Sequence, residues 1–338
     1  MLLIASLFTL GALISSVVTQ RERHGKIVEI VNASKVSWKA ALSSDINYDD
    51  PEFLKSRLGT LVELNNMLFK AEDDSRRAKK APRKLQSTPS YPASLDLRLV
   101  YPGCASISMI RNQKYCGACW AFATMHSLSD RYCIAKSVGG VIQQRFFSVE
   151  DSLECCSTCN AGSGNGCAGG IPYYAIQHAV NTGVVTGEMI SYNKFCKPYY
   201  QEIVRDRAGI APACSQACSN NLYPIAYAND KFSPTSIVFG TGETEMIAAL
   251  NNGGTIAAIY TVYEDFYSYS SGIYFHVSGN LVGGHAIRVI GYGEENGVKY
   301  WLCANSWGPT FGLQGFFKIR RGTNECGIES NYFTTGTF

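Results

Sequence analysis

The chain carries little net charge for its length. Thirty lysines and arginines face 27 aspartates and glutamates across 338 residues, a formal charge of +3. With charged residues at only 17% there is no basic footprint for nucleic acid. Beyond the amino terminus no apolar run is long enough to cross a bilayer. Internal repeats and low-complexity tracts are also missing, which excludes solenoid and array architectures. The first 103 residues contain no cysteine, whereas all 13 cysteines lie at or after Cys104. Histidine is scarce, with five in the chain, so few residues compete for the role of a general base.

What is present is apolar: 46% of residues are hydrophobic, enough to bury one large core or two half-sized ones. Met1 to Thr19 is almost wholly apolar or small, and its apolar stretch Leu2–Leu13 is too short to span a membrane. This predicts a signal peptide ending between Ser16 and Gln20, although a positive n-region is missing; the alternative is an N-terminal anchor. Ten cysteines besides Cys119 cluster between Cys104 and Cys218, a density that suits an oxidising compartment and a disulfide framework. An alternative for Cys155, Cys156, Cys159 and Cys167 is a zinc site.

Three regions follow the leader. Residues from about Gln20 to Gln86 are polar, with helical patches such as Phe53–Phe69. They end in the basic run Arg76–Lys84, read as an exposed, cleavable hinge between a propeptide and a mature enzyme. The one glycosylation sequon, Asn32-Ala33-Ser34, lies in this segment. From Tyr91 to about Gly253 the pattern is helical and loop-rich. Ala118, Ala121, Phe122, Met125, Leu128 and Tyr132 recur at helical spacing, and Pro172 suits the first turn of another helix. From Gly254 onward β-type runs dominate: Thr255–Val262, His285–Tyr292, Val298–Ala304 and Gly315–Arg320. A helical half followed by a β half predicts an α+β enzyme with its site between the halves.

The chemistry concentrates in three places. Cys119 falls in the first turn of the helix predicted from about Ala118, where the N–H groups and the helix dipole favour a thiolate. A nearby imidazole lowers the thiol pKa further and supplies a proton to a leaving amine. His285 and Asn305 lie almost symmetrically about the Asn296-Gly297 hairpin signal, so an antiparallel hairpin brings them side by side. The Asn305 amide then fixes the tautomer of His285 and aims its ring at Cys119. Gln113, six residues before Cys119, and the Cys119 backbone N–H are placed to donate to an oxyanion. His24, His126, His178 and His276 lack such company and are read as structural or exposed.

Gln113–Phe122, with its Cys-Gly-x-Cys-Trp-Ala-Phe core, resembles the nucleophile motif of papain-family cysteine proteases. Gly283–Ala286 and Asn305–Gly308 resemble that family's histidine and asparagine motifs. The likeness runs from about Val28 to the C-terminus and leans to the cathepsin B branch: Trp38-Lys39-Ala40 and Leu58-Gly59-Thr60 resemble its pro-region, and Tyr91–Arg98 the start of its mature enzyme. The resemblance implies a papain-like two-domain α+β fold: a helical left domain, a β-barrel-like right domain and the cleft between them. It implies residues 1–19 as signal peptide, 20–88 as propeptide and 89–338 as peptidase domain, helical to about 253 and mainly β from about 254. Catalytic roles fall on Cys119, His285, Asn305 and Gln113. Substrate contacts fall on Gly117, Gly169, Gly170, Ile171, Pro172, Ile259, Gly284, Ala286, Trp307 and Asn331. The implied disulfides are Cys104–Cys133, Cys116–Cys167, Cys155–Cys214, Cys156–Cys159 and Cys196–Cys218, with Cys303 and Cys326 free and buried.

The likeness has departures. Cys119 and His285 are 166 positions apart, against roughly 130–150 in shorter papain-like enzymes, and the surplus fits an occluding-loop insertion near 195–218. That stretch contains no histidine, whereas cathepsin B uses a histidine pair there to grip a terminal carboxylate. Endopeptidase activity is therefore expected. The alternatives are a carboxydipeptidase, with Arg205 or Arg207 taking the carboxylate, and a non-catalytic binding protein. Asn331 stands where cathepsin B has a glutamate at the base of the second subsite, which implies apolar preference and weak acceptance of arginine. Phe311 replaces a second tryptophan as a packing change. The expected partners are protein and peptide substrates, the chain's own propeptide as inhibitor and cystatin-type inhibitors. A monomer in the secretory pathway, lysosomal, endosomal or extracellular, with no cofactor and no metal, completes the expectation.

Overall fold

The computed structural model of the chain describes residues 19–79, 90–161, 163–188, 194–199 and 209–338. The expected leader cleavage region before Thr19, the hinge at 80–89, and Arg205 and Arg207 lie outside the described residues. In chain order the elements are α1 (Gln20–Ala33), β1 (Trp38–Ala40), α2 (Pro51–Ser56), α3 (Val62–Lys79), β2 (Leu95–Asp96), α4 (Leu97–Val100), α5 (Ala105–Ser108) and α6 (Cys119–Lys136). Then follow α7 (Val149–Cys155), α8 (Pro172–Thr182), β3 (Ser236–Gly240), α9 (Glu243–Gly253), β4 (Ile256–Tyr263), β5 (Tyr269–Tyr274), β6 (Leu281–Glu295), β7 (Val298–Ala304), β8 (Phe316–Arg320) and β9 (Phe333–Thr337).

The N-terminal segment is more ordered than its polar composition implies. Thr19 and Glu22 close a capping box at the start of α1, and Asp50 caps α2 ahead of Pro51. The helical patch read over Phe53–Phe69 is broken: α2 stops at Ser56, the chain runs extended through Gly59 and Thr60, and α3 begins at Val62. β1 pairs antiparallel with β5. Phe69 of α3 packs its ring against Tyr173, Phe239 and Tyr332. The Asn32 amide bonds the backbone N–H and C=O of Ala40, so it secures the turn from α1 into β1.

Helix α6 separates two cores. One cluster, around Trp120, Phe122, Phe147 and Ile176, fills the helical half; the larger one lies in the sheet half. Fourteen of the 18 residues of α6 are buried, so its polar side chains need internal partners. Ser127 donates to the Thr255 carbonyl, and Arg131 donates to the carbonyls of Ala249, Gly254 and Thr255. Asp130 accepts from Thr255 Oγ1 at 2.7 Å and from Arg288 Nη1 of β6 at 2.8 Å.

The strands follow the open order β1-β5-β8-β7-β6-β4-β9-β3, with β2 beside β6. Among the described residues the barrel-like expectation thus resolves into a sheet that does not close. The β6–β7 hairpin turns at Asn296 and Gly297, both with positive φ, as a type I′ turn requires. Sequence periodicity missed β5 and β9, missed β3 within the stretch read as helical and loop-rich, and placed β6 four residues too late at its start. The sulfur atoms pair as Cys104–Cys133, Cys116–Cys167, Cys155–Cys214, Cys156–Cys159 and Cys196–Cys218. All four cysteines of the zinc alternative are therefore consumed, which overturns it. Cys303 is free and buried; Cys326 is free but only half-buried, short of the burial expected for it.

The Asp130–Arg288 pair is fully enclosed and ties α6 to β6. Asp130→Ala strands a buried guanidinium and is expected to cost about 3–5 kcal/mol in urea unfolding of the oxidised protein, whereas Lys70→Ala, at an exposed ion pair, costs under about 1 kcal/mol.

Candidate active site

Cys119 is the first residue of α6, directly after the N-cap position Ala118. The backbone amides of Ala286, Trp120 and Cys119 favour the anionic form of its sulfur. The start of the helix is pinned by the Cys116–Cys167 disulfide and by Trp120 Nε1 donating to the Gly166 carbonyl.

His285 sits within β6, opposite Tyr260 of β4. Its Nε2 lies 2.8 Å from Asn305 Oδ1, and the same oxygen accepts the Ser306 N–H. An amide oxygen only accepts, so Nε2 carries the proton and Nδ1 keeps its lone pair. Nδ1 is buried and bonds to no protein group. The indole of Trp307 lies over the imidazole at 4.9 Å. A bulge at Ile290 moves the hairpin out of strict register, and regular pairing ends at Arg288–Ala304. His285 and Asn305 therefore meet through their side chains just beyond the ladder. Gln113 is held from both ends: its N–H donates to the Ser306 carbonyl, and its Oε1 accepts from Ser306 Oγ at 2.6 Å. Its Nε2 donates to the carbonyls of Cys116 and Ser56, both at 3.0 Å.

The N-terminal segment fills this cleft. Thr60 forms a parallel bridge with Gly170, and Leu61 N–H donates to the Gly170 carbonyl while Gly170 N–H donates to that of Gly59. On the opposite wall, the N–H groups of Gly59 and Thr60 reach the Gly284 carbonyl at 3.3 Å. Thr60 Oγ1 is 3.3 Å from Cys119 Sγ. Gly59 presses so closely on Gly117 that a Cβ there would lie 2.0 Å from the Gly117 carbonyl oxygen. The Ser56 carbonyl occupies the Gln113 amide, and Arg57 is buried with its Nη1 on Asn112 and its carbonyl on Trp307 Nε1. Val62 packs beside Cys119, Ile259 and Ala286. Asn331 donates to the Ile259 carbonyl and accepts from Asn66 of α3. Ile171 turns instead toward Phe69 and Tyr173, while Pro172 opens α8 and Gly169 backs onto Gly59. Phe311 fills space against Trp307 and Phe266.

This cover alters the electrostatics expected from sequence. Burial pushes the Cys119 thiol up, offset only in part by Thr60 and the backbone N–H groups. Burial likewise pushes His285 down to about 4, against the support of Asn305. With the segment seated, both groups are neutral near pH 6, and the helix terminus alone does not make a thiolate. Thr60, which touches Cys119, and Ser306, which fixes Gln113, lie in the motifs Leu58-Gly59-Thr60 and Asn305–Gly308, but the sequence alone assigns neither a role. The glycine before Thr60, flanked by bulky residues, was the available signal for close backbone approach.

Residues 91–335 match the family model for papain family cysteine protease, and the chain belongs to that family. Within it the chain is cathepsin B-like. It is 38% identical over 316 residues to cathepsin B-like cysteine proteinase 4 of Caenorhabditis elegans, covering 90% of this chain and 89% of that relative. It is 44% identical over 248 residues to the gut-specific cysteine proteinase of the same nematode, covering 71% of this chain and 72% of the other. Among solved structures, proCathepsin B S9 from Trypanosoma congolense superposes with a TM-score of 0.73 at 30% identity, covering 92% of this chain and 97% of that one.

Two outcomes follow for the covered cleft. Gly59→Val has no room and is expected to unseat the segment, raising Cys119 alkylation of the intact chain at least tenfold. In the Cys119→Ala chain, where no thiol titrates at the site, the closed state binds fewer protons than an open one whose imidazole titrates near 6.5, so acid favours opening as pH falls from about 6.5 toward about 4. In the Cys119→Ala chain, hydrogen exchange at the Leu61 and Gly170 amides, corrected for intrinsic rate, should be less protected at pH 4.5 than at pH 6.5.

Proposed function

We propose that this chain is a zymogen whose mature domain, about 89–338, hydrolyses internal peptide bonds through a Cys119–His285 thiolate–imidazolium pair. The observation that carries this reading is the His285–Asn305 contact at 2.8 Å in the same cleft as Cys119 and Gln113. Residues 1–19 act as signal peptide and 20–88 as propeptide. The Cys119 thiolate attacks the carbonyl carbon, and the oxyanion takes the Cys119 N–H and Gln113 Nε2, the donor that Ser56 holds in the closed form. His285 gives its proton to the leaving amine, and water then hydrolyses the thioester with the imidazole as base. Asn305 keeps the proton of the neutral ring on Nε2. Secretion or residence in an acidic vesicle, a monomeric state and inhibition by cystatin-type proteins belong to the same reading.

Cleavage within chains is favoured because residues 195–218 hold no histidine to grip a terminal carboxylate. The ends of that stretch are fixed by Cys196–Cys218 and Cys155–Cys214, with buried Lys197 on Glu154 and Asp151. The second subsite offers Ile259, Ala286 and an uncharged Asn331, which supports preference for apolar side chains.

The test is mass spectrometry of products from one peptide, with free or amidated C-terminus, incubated with processed protein at mildly acidic pH under reducing conditions. Internal cuts in both forms, lost in Cys119→Ala, are expected; stepwise dipeptide loss from the free acid alone would contradict the endopeptidase assignment. Gln113→Ala should lower kcat about 100-fold, consistent with one oxyanion donor. Asn331→Glu should raise cleavage of substrates that place arginine in the second subsite by about tenfold, roughly 1.4 kcal/mol of discrimination.

A further inference from the structure

The nucleophile shares its helix face with a second histidine. Cys119, Ala123 and His126 stand at positions i, i+4 and i+7 of α6, one above another. His126 is 9% exposed, and its ring meets Phe122 edge-on at 5.4 Å. Behind the catalytic asparagine lies a small cavity bounded by Ala123, His126, Arg288, Asn305 and Ser306, with about 10 Å³ of room for a water centre. That suffices for one molecule. Three of these residues contribute buried polar atoms that bond to no protein group: Asn305 Nδ2, His126 Nε2 and Arg288 Nε.

We propose that His126 is a positioning residue for the peptidase site, holding the Asn305 amide through a single internal water. The donor and acceptor count fits. Asn305 Nδ2 and Arg288 Nε donate to the water oxygen, and the water donates to the lone pair of His126 Nε2. This requires neutral His126 protonated at Nδ1. Burial, with the positive charges of Arg111 and Arg288 nearby, disfavours the imidazolium. Asn305 Oδ1 already accepts from Ser306 N–H and His285 Nε2, so the correct amide orientation leaves Nδ2 facing away from the imidazole. A partner for Nδ2 completes the set and opposes the flip that would turn an N–H onto His285. His126 thereby acts on Cys119 at two removes, through Asn305 and His285.

The proposal rests on the Cys119–His285 reading of the site. Its test is a kinetic series on processed enzyme together with a high-resolution crystal structure of the intact Cys119→Ala chain. His126→Leu is expected to lower kcat about tenfold with KM nearly unchanged, and to move the acid limb of kcat/KM upward as the imidazole loses its fixed orientation. His126→Gln, which keeps an acceptor, should restore most of the rate and the limb. In an Asn305→Ala background, His126→Leu should add little. A wild-type pH profile in His126→Leu, equal damage in both variants with an unmoved limb, or full additivity with Asn305→Ala would overturn it. Should His126→Leu fail to fold, the crystal structure decides: an ordered water within hydrogen-bond reach of both Asn305 Nδ2 and His126 Nε2 is expected, and a dry cavity overturns the proposal. Wild-type enzyme without Cys119-dependent cleavage would instead sink the catalytic reading, leaving the water site to be judged on its own.

Discussion

The active-site geometry depends on how one buried helix is held against one long strand. Helix α6 brings Cys119, and β6 brings His285, so their separation is set wherever the two elements are tied. Arg288, three residues beyond the histidine, reaches Asp130 three turns down the helix and also takes the carbonyls of Ser106, Ile107 and Met109. Isolated buried charges are expensive, and this one is surrounded by acceptors that leave it few alternative positions. The second tie is the loop at Arg111–Gln113, whose backbone pairs with Ser306–Gly308 and so links Gln113 to the strand end carrying Asn305.

The N-terminal segment exploits the same geometry. It threads a backbone of small cross-section, Gly59 and Thr60, between walls that are themselves glycines: Gly117, Gly170 and Gly284. Close approach supplies hydrogen bonds on both walls, and the resulting exclusion of water raises the thiol and lowers the imidazole. Covering the cleft and neutralising Cys119 and His285 are one physical event. The segment also takes the Gln113 amide through the Ser56 carbonyl, so that donor is occupied while the cleft is covered.

Much of this was legible in the sequence because it was local. The helix start at Cys119, Pro172 at the head of α8, and the Asn296-Gly297 turn each carry their own signal. The pairing of His285 with Asn305 followed from symmetry about that turn, despite the bulge at Ile290. What was hidden depends on contacts across the chain. The break between α2 and α3 exists because Gly59 must cross the cleft. The direction of the Cys119 shift was missed because it reflects cover by residues far away in sequence. His126 was set aside because nothing near it in sequence reveals Asn305 on the other side of a water-sized cavity.

The central claim is that departure of the N-terminal segment converts a neutral, covered thiol into a thiolate beside an imidazolium. The direct measurement is the pH dependence of Cys119 alkylation by iodoacetamide, read by mass spectrometry under conditions that leave the disulfides intact, before and after removal of the segment. The account predicts that processed protein reacts rapidly at pH 5 and loses that reactivity in His285→Ala, while the intact chain is at least tenfold slower at the same pH. Equal rates in intact and processed protein, or a processed thiol that reacts only near pH 9, would contradict it.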